Sequence, residues 1–308
     1  MSGIACTGWG AALPDKVVTN KDLEATLDTN DQWIVERTGI RERRVGGTTA
    51  ELAVGAGQAA LARSGVAAAD IDLLVLSTTT PDQMVPGTSA EVSHQLGTGG
   101  GAMDVNAACA GFVYALVTAH GLMRSWAQRA LVIGSDTLSR ITDWNDRGTA
   151  ILFADGAGAV VLERTSGADQ LLSWDIGVDG AARSLLYADH GGNMVMEGRE
   201  VFRRAVRVMV SSARSALQRA GVGPQDIALC IPHQANLRII EAASSRIGIP
   251  MERTALVIEH TGNTSSGSVP LALADAADTG RLSDGDLVLL CGFGAGMTWA
   301  SAVLRWGR

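Results

Sequence analysis

Three residues in this chain have the types and the setting for attack on a carbonyl: a thiol, an imidazole and a carboxamide. Cys109 lies in DVNAACAGFVYALVTAHGLM (104–123), where a short apolar strand over 102–105 breaks through small residues into an amphipathic helix. A thiol at a helix N-terminus meets unpaired backbone N–H groups and the positive end of the dipole, which favour the nucleophilic thiolate. Ala107, Ala108, Ala110 and Gly111 are all small, so a carbonyl would reach the sulfur unobstructed. A lone cysteine of this kind is more often a core thiol, so the case rests on what answers it elsewhere. His233 ends the apolar run IALCIP (227–232) and opens the next helix within PHQAN, and Asn263 lies in HTGNTSSGS (260–268), ahead of another helix. Taken singly, the histidine reads as structural and the asparagine as an N-cap. Reactive groups in α/β folds collect at such strand-to-helix junctions.

The elements that must position these groups come from hydrophobic period and punctuation. SGIACTGWG (2–10) reads as a strand; DLEATL (22–27) and NDQWIVERTG (30–39) read as short helices, the second capped by Asn30 or Asp31 with Gly39 past its end. ELAVGAGQAALARSG (51–65) has helical period, DIDLLVLSTTTP (70–81) is a buried strand closed by proline, and GTSAEVSHQLG (87–97) is a helix. RALVIGSDTLS (129–139) is a strand, and AILFADGAGAVVLER (150–164) reads as a strand pair turning at Asp155-Gly156. After a polar stretch the pattern restarts. VRVMVSSARSALQRAGVGPQDIALCIPHQAN (206–236) matches 51–80 at an offset of about 156 residues. At the same offset the Cys109 helix meets NTSSGSVPLALADAA (263–277), and the strand at 129–136 meets DLVLLCGFGAG (286–296). Agreement over three successive units describes two fused α/β halves, 1–165 carrying the cysteine and 166–308 carrying the histidine and asparagine, each with a largely buried sheet covered by helices. One helix of each half then lies centrally, and their N-termini converge near the pseudo-symmetry axis.

Composition limits the function classes. At 308 residues the chain suits two domains or one large α/β unit, and its net charge of −7 argues against non-specific nucleic-acid binding. Cys6, Cys109, Cys230 and Cys291 form no CxxC pair, which with the lack of an apolar run of about 18 residues or a leader leads us to expect a cytoplasmic, reduced protein with no membrane contact. Cys6, Cys230 and Cys291 sit in apolar runs and read as core thiols.

Five segments together resemble the β-ketoacyl-acyl carrier protein synthase III family of thiolase-fold condensing enzymes: DQWIVERTGIRERR (31–44), DVNAACAGF (104–112), DRGTAILFADGAGAVVL (146–162), PHQAN (232–236) and GNTSS (262–266). The resemblance runs from the opening strand to GFGAGMTWASAVLRW (292–306). It implies a five-layered α-β-α-β-α core and a homodimer. It also implies a decarboxylative Claisen condensation of an acyl-CoA primer with malonyl-acyl carrier protein, in fatty-acid or polyketide synthesis, with no metal and no cofactor. By matching motif, Cys109 is the acyl-accepting nucleophile with His233 and Asn263 completing the triad, and the backbone N–H groups of Cys109 and Ala295 form the oxyanion hole. Trp33, Arg37 and Arg147 match positions that bind the adenine end of CoA, Asn236 matches a position along the pantetheine tunnel, and Phe202 is counted with the CoA- and substrate-binding residues. Arg238, Arg203 and Arg207, with Arg204, form a basic cluster facing an acidic carrier protein or, equally, a solvated helix face.

The chain departs from that pattern in places. The segment between Ser173 and Gly198 is short, and Arg199 stands where a smaller polar residue is expected at the CoA channel. The loop TTTPDQMVPGTSAE (78–91) corresponds to one that closes the partner's acyl pocket, and Val85 falls where some members carry phenylalanine, leaving room for a primer longer or more branched than acetyl. Cys291 lies about two residues too early for a second, thiolase-type catalytic cysteine. Two other readings are carried forward: an acyltransferase of a secondary-metabolite pathway that omits decarboxylation, and a silent subunit, which the intact triad disfavours.

Overall fold

The computed structural model describes residues 3–307. The first half runs β1 (Gly3–Ala12), β2 (Val17–Thr19), α1 (Asn20–Glu24), α2 (Asp31–Thr38), β3 (Glu42–Arg44), α3 (Thr49–Ser64), β4 (Leu73–Ser77), α4 (Thr88–Leu96), β5 (Gly101–Val105), α5 (Gly111–Ser125), β6 (Arg129–Thr137) and β7 (Asp155–Thr165). There follow β8 (Leu171–Val178), β9 (Leu186–Tyr187), β10 (Val195–Met196), α6 (Gly198–Ala220), β11 (Ile227–Pro232), α7 (Leu237–Ile247), α8 (Ile258–Thr261), α9 (Ser268–Asp278), β12 (Leu287–Gly294) and β13 (Thr298–Arg305).

The main strands form two sheets, ordered β1-β7-β6-β4-β5 and β8-β13-β12-β11. Their pairing repeats: β4–β6 and β11–β12 are parallel, while β6–β7, β1–β7, β12–β13 and β13–β8 are antiparallel. The counterpart of β5 in the second half is reduced to a bridge between Cys230 and Thr254. Helix α3 covers the outer face of the first sheet, α6 and α7 that of the second, and α5 and α9 lie between them. This is the five-layered thiolase-like arrangement.

The sequence explains the layers. All five residues of β4 are buried, as a strand covered on both faces requires. Helix α5 (GFVYALVTAHGLMRS) is apolar nearly all round because it has a sheet on either side. Helix α6 buries Val201, Ala205, Met209, Ala213 and Ala216, a single stripe, because only one side meets protein. No helix among the described residues is long and apolar enough to cross a membrane.

Two sequence expectations fail here. Residues 150–154 do not pair with 155–164 as a hairpin. They form turns and a bridge from Phe153 to Asn263, while β7 pairs with β1 and β6. The short strand β5, read as apolar, is an edge with Gly101, Ala102 and Asp104 exposed, since only β4 flanks it.

Candidate active site

A cavity of about 960 Å³ brings Cys109, His233 and Asn263 together with Trp33, Arg37, Phe202 and Asn236. Cys109 does not begin α5. It sits in a 3-10 turn over Ala108–Ala110, and Ala108 enters that turn at φ +47°. This left-handed step, unusual for a residue with a Cβ, turns the chain out of β5 at an elbow and leaves Cys109 open to the cavity. The same construction recurs in the other half. Ser265 has φ +50° and opens the turn over Ser265–Gly267 ahead of α9. Asn263 Oδ1 accepts from Ser265 N at 2.9 Å, just as Asn106 Oδ1 accepts from Ala108 N at 3.2 Å. The structural counterpart of Cys109 is therefore Ser266, and that of Asn263 is Asn106.

The immediate partners of each triad member decide what it can offer. His233 does not open a helix; it lies in the irregular turn between β11 and α7, 1 % exposed. Its Nδ1 is 2.6 Å from Ser268 Oγ, which also accepts from Gln234 N at 3.2 Å. Nδ1 is the one acceptor that the serine hydroxyl meets among the described residues, so the hydroxyl donates to it and the ring carries its hydrogen on Nε2. Burial holds the imidazole pKa down at about 3, so the ring is neutral. Asn263 is clamped on both sides, its N–H donating to Leu152 O and its carbonyl accepting from Ala154 N, each at 2.9 Å. Because Oδ1 is taken by Ser265 N, Nδ2 is the end left for the cavity. Both side chains thus present neutral N–H donors.

The thiol departs from the sequence expectation. Burial pushes Cys109 up to about 12, aided by the charge of Asp136; the nearby Ser265 hydroxyl and the residue's own backbone N–H pull the other way without prevailing. Desolvation on the closed side outweighs the helix end. The resting residue is a thiol. Gly294 borders it so closely that a Cβ there would lie 2.5 Å from Cys109 N, and Ala295 follows in the cavity wall. This glycine keeps the space beside the Cys109 N–H free of side chain.

At the mouth, Asn30 caps α2 through Trp33 N, and Gly39 ends it at φ +78°. Asn236 caps α7 through Arg238 N and donates from Nδ2 to Arg37 O at 2.9 Å, tying α7 to α2. Two guanidinium groups lie over the Trp33 ring, Arg37 at 4.5 Å and Arg147 at 5.1 Å from its centroid. Arg238 lies over Phe202 at 5.9 Å. Arg199 lines the cavity, and the short segment 173–198 supplies the β9–β10 ladder that walls one side through Leu186, Tyr187 and Met196. Arg203 and Arg204 are paired with Glu200, and Arg207 is exposed. Val85 stands apart: it is 82 % exposed on its loop and lines no part of its own chain's cavity. Cys291 is fully buried in β12 beside Cys230, away from the cavity.

Sequence reasoning missed Ser265, Ser268, Thr79, Arg183 and Met196. No local pattern marks them; Asn106 alone was within reach, by extending the repeat two residues upstream of its turn.

Known proteins match nearly the whole length of the chain. Residues 103–180 match the family model described as 3-oxoacyl-[acyl-carrier-protein] synthase III, and residues 217–306 match the model of its C-terminal part. The chain is 47 % identical to the β-ketoacyl-[acyl-carrier-protein] synthase III of Roseiflexus castenholzii, over 98 % of both chains. It superposes on the crystal structure of 3-oxoacyl-[acyl-carrier-protein] synthase III from Aquifex aeolicus with a TM-score of 0.97 at 42 % identity, covering 99 % of this chain and 100 % of the other. A priming β-ketosynthase of a polyketide pathway gives a TM-score of 0.95 at 36 % identity, covering 99 % and 97 %. With the elbow cysteine, the two donor side chains and the aromatic mouth in one cavity, these likenesses settle the lineage: the chain belongs to the β-ketoacyl-acyl carrier protein synthase III family and is a thiolase-fold condensing acyltransferase.

Proposed function

We propose that Cys109, His233 and Asn263 carry out a two-stage condensation in one cavity, with an acyl-CoA as donor and malonyl-acyl carrier protein as acceptor. In the first stage Cys109 sulfur attacks the thioester carbonyl. The oxyanion forms beside the N–H groups of Cys109 and Ala295, the C–S bond to CoA breaks, and the thiol proton ends on the CoA sulfur. In the second stage the malonyl group loses CO₂, and the enolate oxygen that develops is met by His233 Nε2–H and Asn263 Nδ2–H. The enolate carbon attacks the acyl carbonyl, the Cys109 C–S bond breaks, and one proton restores the thiol. Two neutral donors suit this stage because a carboxylate beside the enolate would repel it. The observation that carries the reading is that Ser268 and Ser265 occupy Nδ1 and Oδ1, which leaves both donors for the cavity.

The aromatic-cationic mouth supports a CoA nucleotide held by Trp33, Arg37 and Arg147, since an indole face and guanidinium planes stack on a purine and arginine also meets phosphate. Arg203, Arg207 and Arg238, all exposed near that mouth, suit an acidic carrier protein. The unpaired edge of β5, with Met84 79 % and Val85 82 % exposed nearby, supports a homodimer in which this loop enters the partner's pocket. A division at 165/166 is supported by the two sheets, whose strands fall at 3–165 and 171–305.

Intact-mass spectrometry of wild type and Cys109→Ala, with a panel of acyl-CoAs and then malonyl-acyl carrier protein, tests the reading. An adduct that needs Cys109 and is cleared by the malonyl carrier with CO₂ release supports it. An adduct that ignores the carrier points instead to acyl transfer without decarboxylation, and no adduct with any donor points to a silent subunit.

A further inference from the structure

Arg43 is fully buried, and among the described residues no carboxylate lies within ion-pair distance of it, Asp22 and Glu42 acting on it only from further away. Burial lowers its pKa to about 10, so it stays charged at neutral pH. Its guanidinium spends its hydrogens on neutral oxygens: Nη1 donates to Val18 O at 3.2 Å and Asn20 Oδ1 at 2.9 Å, and Nη2 donates to Ile151 O at 2.8 Å, while Nε has no partner. A buried charge without a contacting counter-ion is costly, and the reaction as described makes no use of it. Its placement explains why it is there. Ile151 leads directly into the segment whose Leu152 O and Ala154 N grip Asn263 from either side. Arg43 also packs against the residue before Asn263, since a Cβ on Gly262 would lie 3.0 Å from the Arg43 Cβ. On its other side Asn20 Nδ2 reaches Asp31 Oδ1 in the first turn of α2. One guanidinium therefore joins the helix that carries Trp33 and Arg37 to the turn segment that holds Asn263.

We propose that Arg43 is a positioning residue for Asn263, serving the condensation stage and not the acylation of Cys109. This rests on the reading of Asn263 as an enolate donor. Cys109 stands on an elbow that Arg43 does not touch, so acylation at saturating acyl-CoA separates from condensation, and any loosening of α2 through Asn20 shows in the KM for acyl-CoA alone.

The test measures both half-reactions in Arg43→Lys, Arg43→Met, Asn263→Ala and the Arg43→Lys/Asn263→Ala double variant. Acylation of Cys109 by acyl-CoA is followed by intact mass, and condensation of the pre-acylated enzyme by CO₂ release from malonyl-acyl carrier protein. Arg43→Lys is expected to acylate within threefold of wild type and to lose at least 30-fold in kcat for condensation, with KM for the malonyl carrier little changed. The double variant is expected to be no slower than Asn263→Ala alone, because both changes disable one donor. Losses that multiply, acylation that falls in step with condensation, or condensation that survives Arg43→Lys and Arg43→Met would each overturn the proposal. Gly262→Ala presses on the same joint and is expected to show the same split should Arg43→Met fail to fold. If Asn263→Ala itself leaves condensation intact, it is the donor reading that fails.

Discussion

The thiol of Cys109 should behave as a very weak acid in the free enzyme. Burial places it at about 12. At pH 8 that leaves a thiolate fraction of about 10⁻⁴, against about a quarter for a free cysteine near 8.5. The expected labelling rate with iodoacetamide is thus on the order of 10³ below that of an open thiolate-forming cysteine at the same pH. It should rise about tenfold per pH unit from pH 7 to pH 10 with no plateau. Mass spectrometry of tryptic fragments assigns the label. Cys6 is also raised to about 12 by burial, and Cys230 is raised by its contact with Cys291 and by burial, so access, not acidity, should make Cys109 the first to react. A plateau at Cys109 below pH 9 would refute the reasoning and restore the helix-end thiolate that the sequence suggests. Ser265→Ala removes one of the two contacts that pull the pKa down, so it should slow labelling further at every pH in that range.

Ser268→Ala should leave acylation nearly intact but slow condensation about tenfold or more, the effect of losing a hydrogen bond of about 1.5 kcal/mol, and nitrogen-15 spectra should show His233 leaving the Nε2–H tautomer. Because His233 stays neutral in the fold down to about pH 3, the unfolded chain binds the extra proton below about 6.5; stability contributed by this residue is present above that pH and lost as pH falls towards 3, a term on the order of 5 kcal/mol. His233→Gln should accordingly flatten acid denaturation between those limits in chemical melts at stepped pH. Val85→Phe should lower turnover of C4–C8 primers relative to acetyl-CoA at least tenfold; unchanged ratios would remove Val85 from primer selection. Gly294→Ala should abolish acylation by about 10²-fold or more, the scale of losing one oxyanion donor, whereas Gly292→Ala, whose Cβ would meet Ala110 Cα at 3.0 Å and not the Cys109 N–H, should retain it.

Much of the fold was legible because its signals are local. Periodicity marked α3 and α6, Asn30 and Gly39 marked the ends of α2, and the repeat of 51–80 in 206–236 announced two similar sheets. The meeting of Cys109, His233 and Asn263 in one cavity was legible through the same repeat. What stayed hidden depends on contacts between distant segments. The 150–164 stretch looks like a hairpin because Asp155-Gly156 is a turn signal, yet residues 152–154 are held by Asn263, more than a hundred positions away. The acidity of Cys109 was misjudged for the same reason. The helix end is visible in the sequence, whereas the second sheet and Asp136, which shut the thiol in, are not. Ser268 passes in sequence for an ordinary helix-opening serine and becomes the partner of His233 only once α9 is brought against β11.

The duplication also shows why the chain has one reactive elbow and not two. Gly134 and Gly292 hold matching places in β6 and β12: a Cβ on the first would meet Ser266 O at 2.2 Å, and on the second Cys109 O at 3.4 Å. Two residues on, the halves differ. In the first half's strand this position is Asp136, whose Oδ2 accepts from Ser266 N at 3.0 Å and from Ser266 Oγ at 2.7 Å. In the second half's strand it is Gly294, which has nothing to place beside Cys109 N. The N–H that faces a developing oxyanion at Cys109 is thus permanently occupied by a carboxylate at its counterpart. That carboxylate is itself held by the hydroxyls of Thr78, Thr79 and Thr80, so it cannot swing away. One elbow keeps a thiol and an open hole; the other has a hydroxyl and a filled one, and its hydrogen bonds brace the turn that presents Ser265 to the sulfur. Histidine is divided in the same way, since Ser77 holds the place of His233 and packs on Gly111 where His233 meets Ser268. The condensation proposed for Cys109, His233 and Asn263 draws its nucleophile and open hole from one half and its two neutral donors from the other, so on that reading neither half carries the chemistry alone.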